Sequence, residues 1–168
     1  AVLRFVPFEL PNADKMGIDL SQLTHIVLSH GHNDHTNGIK YLVEEIGISK
    51  VELIAHPDCF LPKYYGEEYI GAPYTIEEIQ NLTKYFHSEI TINITEQLIY
   101  LGEIPRKTDF ENKQPIGKQE KKGNWEEDYL IDDTALVYKG RDGLFIITGC
   151  SHSGICNIIE YAKEICKD

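Results

Sequence analysis

The chain predicts an α/β domain, and three observations carry that expectation. Short apolar runs of strand-like character alternate with stretches of helical period along most of its 168 residues. Two of those runs, His25–Ser29 and Leu144–Ile147, each end in a polar loop that leads into a helix-like stretch. Loops at the C-terminal ends of strands are where α/β folds carry their chemistry. With 42% apolar and 26% charged residues, the length is that of one domain able to bury a core.

Taken in order, residues 8–17 suggest a short helix and 24–29 a buried strand. Asn37 stands as the cap of a helix carrying Ile39, Leu42, Val43 and Ile46 at helical spacing. Val51–Ala55 is the next strand, stopped by Pro57. Thr75 and Glu78 form a capping-box pattern that opens a helix through about Tyr85. Ile90, Ile92 and Ile94 alternate with Thr91, Asn93 and Thr95, the period of a half-exposed strand, and Leu98–Leu101 is another. Residues 111–128 are polar, with Lys118–Lys122 mostly charged, and read as a mobile loop or insertion within the single domain 1–168. Strands near 133–139 and 144–149 flank Gly140-Arg141-Asp142-Gly143, a hairpin turn. A final helix places Ile155, Ile158, Ile159, Ala162 and Ile165 on one face.

Composition excludes several classes of function. Acidic residues outnumber basic ones 27 to 16, a net charge of −11, so the basic footprint of a nucleic-acid binder is missing. No apolar run approaches the roughly 20 residues of a membrane span, so no membrane partner is expected. The four cysteines (Cys59, Cys150, Cys156, Cys166) show no disulfide framework, which points to a reducing, cytoplasmic setting.

The chemistry is concentrated in His30-Gly31-His32-Asn33-Asp34-His35, three imidazoles and a carboxylate within six residues. Zn²⁺ and similar ions take neutral imidazole nitrogen and carboxylate oxygen at roughly 2.0–2.2 Å. His30 and His32, one residue apart, can share one ion, while Asp34 and His35 turn into the following helix and can face a second. Two ions about 3.5–4 Å apart hold a hydroxide at neutral pH and polarise a carbonyl or phosphoryl oxygen. A second constellation, Thr148-Gly149-Cys150-Ser151-His152, follows the last apolar strand and repeats the strand-loop-helix context. The Cys150 thiolate is a candidate zinc ligand, with a small buried side chain as the alternative reading.

The HxHxDH motif, with Gly38 three residues beyond it, resembles the metallo-β-lactamase superfamily. Residues 12–20, Gly102-Glu103-Ile104-Pro105-Arg106, Asp132-Asp133-Thr134-Ala135 and Thr148–Ile155 look like one branch of it, the metal-dependent hydrolases that include dihydropterin–ribofuranosylaminobenzene-phosphate synthases. The resemblance spans roughly residues 12–166. It implies a four-layer αββα sandwich with metals at one sheet edge, and His152 completing the site begun by His30 and His32. Cys150 stands where many members place a bridging Asp. Members also carry upstream strands with an Asp-Thr-Gly turn and a last strand with a final metal-binding His. Neither is visible in the sequence, so the expected fold is an incomplete version, shortened at both ends, with sheet edges through which two copies could pair.

Arg106 is a candidate clamp for a substrate phosphate or carboxylate, or else a solvated loop charge. Asp132 and Asp133 are candidates to orient a metal-bound imidazole, or to cap a turn. His56 reads as a histidine behind the ligands or on the surface, and His25 as structural. The expected activity is hydrolysis of a small, phosphate-bearing or other ester by a hydroxide held on one or two Zn²⁺ (Mn²⁺ and Fe²⁺ share the ligand set), with Asp34 also able to take the proton. The alternatives are a synthase-like transferase and a non-catalytic metal-binding or dimerising module.

Overall fold

The computed structural model describes residues 13, 15–111 and 113–167. The helix expected over 8–17 falls largely outside that set. After a 3₁₀ turn at Leu20–Gln22 come β1 (His25–Val27), α1 (Asn33–Thr36), α2 (Gly38–Glu45) and β2 (Glu52–Ala55). A 3₁₀ turn at Pro57–Phe60 leads to β3 (Lys63–Tyr65), β4 (Glu68–Tyr69), α3 (Ile76–Leu82), β5 (Lys84–His87), β6 (Ile92–Asn93) and β7 (Leu98–Tyr100). The remainder is β8 (Lys118–Lys121), β9 (Asn124–Glu127), β10 (Ala135–Gly140), β11 (Gly143–Thr148) and α4 (Ile155–Cys166).

Side-chain alternation along the strands builds the layers. In the parallel sheet β1-β2-β5, Ile26, Leu28, Leu53 and Ala55 share a core with Ile39 and Leu42 of α2 and Ile79 of α3. Their neighbours Val27 and Ile54 point the other way and pack with Tyr100 and Leu136 of the antiparallel sheet β11-β10-β7-β6. The far side of that second sheet buries Ile99, Leu101 and Val137 with Ile158 and Ala162 of α4. Helix, sheet, sheet, helix is the expected αββα order.

A third sheet, β4-β3-β8-β9, corrects the reading of 111–128: Lys118–Lys121 and Asn124–Glu127 form an antiparallel hairpin paired to β3. Trp125 lies edge-on to Tyr64 of β3, ring centroids 5.5 Å apart. Other expectations shift at their edges. The capping box at Thr75 and Glu78 forms as read, but α3 ends at Leu82, and residues 84–87 pair with β2 instead of extending the helix. Only Ile92–Asn93 of the Ile90–Ile94 run is strand, and Ile90 is exposed. Asn37 has helical dihedrals and makes no side-chain cap bond, so α1 runs nearly into α2. On α4 the buried stripe is Ile158 and Ala162, while Ile155 and Ile159 face outward.

Candidate metal centre

β1 delivers the HxHxDH loop, and β11 delivers the Cys150–His152 loop, to one place. The Gly149 backbone passes close to the Ser29 side chain because glycine allows it: a Cβ on Gly149 would lie 2.4 Å from Ser29 Oγ. Ser151, between Cys150 and His152, takes a positive φ of 59°, a left-handed turn that a non-glycine residue rarely adopts.

His30, His32 and His152 present ligand atoms within 4.8 Å of one another. Ring centroids are 4.8 Å apart for His30–His32 and His30–His152, and 5.5 Å for His32–His152. The Nε2 atoms of all three are buried with no hydrogen-bond partner. Asp128 Oδ2, at 4.0 Å from His32 Nε2, is too far to serve as one. A buried, unsatisfied polar atom costs about 1–3 kcal/mol, and three on rings this close together call for a shared partner. A metal ion fits this donor set.

Burial pushes the His30 pKa down to about 2, with the neighbouring imidazoles adding to the effect and Asp132 opposing it. Burial also lowers that of His32, with Lys63 assisting. Both rings are thereby kept neutral, the form that donates a lone pair to a cation. Ser29 Oγ lies 3.2 Å from His30 Nδ1 and 3.4 Å from His35 Nδ1, so one hydroxyl orients two rings. Sequence reading missed Ser29; its place directly before the motif was the available signal.

His30, His35 and Cys150 form a second group with ligand atoms within 4.8 Å. His35 Nε2 lies 3.1 Å from Cys150 Sγ and 3.3 Å from Asp34 Oδ2. Asp34 is mostly exposed and belongs to neither three-residue group, so it sits at the rim, reaching inward to His35. Arg106 is half-buried and donates to the Leu130 carbonyl at 2.7 Å. His56 is buried, and its Nδ1 accepts the Asp58 N–H at 3.1 Å, capping the 3₁₀ turn. His25 pairs with Glu52 at 3.2 Å near the strand's far end.

Lys63, Asp128 and Gln119, none of them singled out in the sequence, lie buried beside this centre. Lys63 Nζ donates to Asp128 Oδ2 at 2.8 Å, Gln119 Oε1 at 3.2 Å and Asp132 Oδ1 at 3.4 Å. Burial works against the lysine charge, but Asp132 and Asp128 outweigh it and hold its pKa up. Burial likewise opposes the Asp132 charge. Lys63, foremost, and the Gly31 N–H overcome it and bring that carboxyl down to about 2.

The family model of the metallo-beta-lactamase superfamily matches residues 6–164. The chain belongs to that superfamily. It is 40% identical over 155 residues to the uncharacterized protein MJ0448 of Methanocaldococcus jannaschii, covering 90% of this chain and 55% of that one. It is 29% identical over 163 residues to the 7,8-dihydropterin-6-methyl-4-(beta-D-ribofuranosyl)-aminobenzene-5'-phosphate synthase of the same organism, covering 92% and 55%. The crystal structure of Tm1679, a metal-dependent hydrolase of the beta-lactamase superfamily, superposes with a TM-score of 0.77 at 31% identity, covering 96% of this chain and 58% of that one. This superfamily member thus spans little more than half the length of the relatives it matches. No helix among its described residues is long and apolar enough to cross a membrane.

Proposed function

We propose that the chain is the metal-binding portion of a hydrolase that cleaves a small ester or phosphoester. His30, His32 and His152 would hold one divalent ion, Zn²⁺ by donor type, with Mn²⁺ and Fe²⁺ as competitors. His35 and Cys150, with Asp34 at the rim, would contribute to a second. The observation that carries this reading is the convergence of three buried imidazole nitrogens that no group among the described residues satisfies. When bound, the ion would supply Lewis acidity and a nucleophile at neutral pH.

The chain's own residues do the rest. Burial keeps His30 and His32 neutral, and Ser29 fixes the ring of His30. Asp34, exposed and 3.3 Å from His35, is placed to accept a proton at the rim and pass it to solvent. The Arg106 fork has five donors, and its bond to the Leu130 carbonyl leaves capacity for a substrate phosphate. A second reading, a synthase-like condensation of pterin and aminobenzene-ribotide substrates, is favoured by the 29% identical synthase.

The test is turnover of bis(p-nitrophenyl) phosphate and p-nitrophenyl acetate by protein loaded separately with Zn²⁺, Mn²⁺ or Fe²⁺. Metal-dependent hydrolysis that falls at least 100-fold in His30→Ala and His152→Ala is expected. Metal uptake without hydrolysis moves the case to the synthase reading; no uptake leaves a non-catalytic module.

A further inference from the structure

The two metal loops are separated by more than a hundred residues, yet their ligands meet within 4.8 Å. Three consecutive residues ahead of β10 tie them together. Asp132 Oδ2 accepts the N–H of Gly31, the residue between His30 and His32, at 2.7 Å. Asp133 Oδ2 accepts both the N–H (2.8 Å) and the hydroxyl (2.5 Å) of Ser153, the residue after His152. Thr134 donates its N–H to the Ser29 carbonyl at 2.8 Å, and its hydroxyl to the Gly102 carbonyl at 2.7 Å. The carboxylates thus grip backbone beside the ligands and make no hydrogen bond to an imidazole, which departs from the orienting role read in the sequence.

We infer that Asp132 and Asp133 are positioning residues that set the separation between the His30–His32 loop and the His152 loop, with Lys63 as the buried cation that anchors Asp132. Hydrogen bonds from backbone N–H to a carboxylate are charge-assisted and about twice as strong as neutral ones, so a short grip can fix a loop. Both aspartates are almost fully inaccessible, and a buried carboxylate persists only when paired or hydrogen-bonded. Asp132 has Lys63 and, through it, Asp128 and Gln119 of the hairpin sheet. The β8–β9 hairpin supplies Gln119, and Asp128 directly follows its second strand; together they hold Lys63 against Asp132. Among the described residues Asp133 Oδ1 has no hydrogen-bond partner, and Oδ2 makes the grip on the second loop.

The inference rests on the metal reading for its affinity arm only. In metal-free protein, amide exchange followed by NMR should show slow Gly31 and Ser153 protons. Asp133→Ala should speed Ser153 at least tenfold and leave Gly31 slow; Asp132→Ala should do the reverse. In the second arm, zinc affinity measured against a chromophoric chelator should fall 10–100-fold in each variant that stays folded. Asp133→Asn, which restores an acceptor of equal reach, should return it to within about threefold of the parent. Asp132→Ala strips Lys63 of one partner and is the variant at risk of misfolding; the Asp133 pair avoids that network and decides alone if need be. A parent chain that takes up no zinc defeats the proposed function and leaves the exchange arm to judge the clasp. A folded Asp133→Ala that keeps parental exchange at Ser153, or parental zinc affinity where the parent binds zinc, overturns it.

Discussion

Gly31→Ala tests whether the ligand loop tolerates any displacement. A Cβ on Gly31 would sit 2.1 Å from the Cys59 carbonyl oxygen, 2.8 Å from its carbonyl carbon and 3.0 Å from its Cα. Contacts below 3.0 Å are essentially never made, so the oxygen contact alone demands a shift of about 1 Å. The obstacle is backbone of a buried 3₁₀ turn, with Cys59 at 0% exposure, so no side chain can swing aside. The loop carrying His30 and His32 must move, and the 2.7 Å bond from Gly31 N–H to Asp132 lengthens with it. Overpacking costs about 1–3 kcal/mol and the weakened bond about 1 kcal/mol more. The sum, about 2–4 kcal/mol, lowers Tm by roughly 4–16 °C at this chain length. Zinc affinity should fall at least tenfold, because outer contacts that orient ligands carry about that much. Differential scanning fluorimetry and chelator competition read the two effects. A Gly31→Ala protein with parental Tm and parental zinc affinity would refute the reasoning.

Three further outcomes follow from separate parts of the structure. Lys63→Met leaves Asp128 and Asp132 buried without their cation, which should cost about 3–5 kcal/mol in urea unfolding. Thr75→Ala removes a capping box in which Thr75 Oγ1 accepts the Glu78 N–H at 3.3 Å and Glu78 accepts the Thr75 N–H at 2.8 Å. It should cost about 1 kcal/mol in the same assay, with zinc affinity unchanged. Zinc at 100 times its Kd should stabilise the fold by about 2.7 kcal/mol; excess chelator should reverse that shift in Tm, and an identical Tm with and without chelator would contradict it.

Those parts of the molecule that depend on local pattern were legible in the sequence. His30, His32 and His35 lie within one six-residue motif, and the strand-loop-helix context of Cys150 and His152 repeats it, so both loops announce themselves. The alternation Ile26-Val27-Leu28 and Leu53-Ile54-Ala55 reads as doubly buried strand because each face meets a different core. The third sheet was hidden for the opposite reason. Its strands are Lys-Tyr-Tyr, Glu-Tyr, Lys-Gln-Glu-Lys and Asn-Trp-Glu-Glu, mostly exposed, and their polar residues look like a loop. Lys63 reads as a surface charge until Asp128 and Asp132, more than sixty residues away, enclose it. Residues 84–87 continue the register of α3 in sequence, yet Thr83 ends that helix and pairing with β2 makes the segment a strand. The grip of Asp132 and Asp133 on backbone N–H groups had no signature beyond the two adjacent carboxylates, since backbone partners leave no mark in composition.

The central claim is that rings from two distant loops ligate one ion, and X-ray absorption at the zinc K-edge addresses it directly. The zinc-loaded chain should show nitrogen scatterers at about 2.0–2.1 Å with the outer-shell pattern of several imidazoles, reduced by one imidazole in His152→Ala. A spectrum without imidazole scattering, or one that His152→Ala leaves unchanged, would contradict the account.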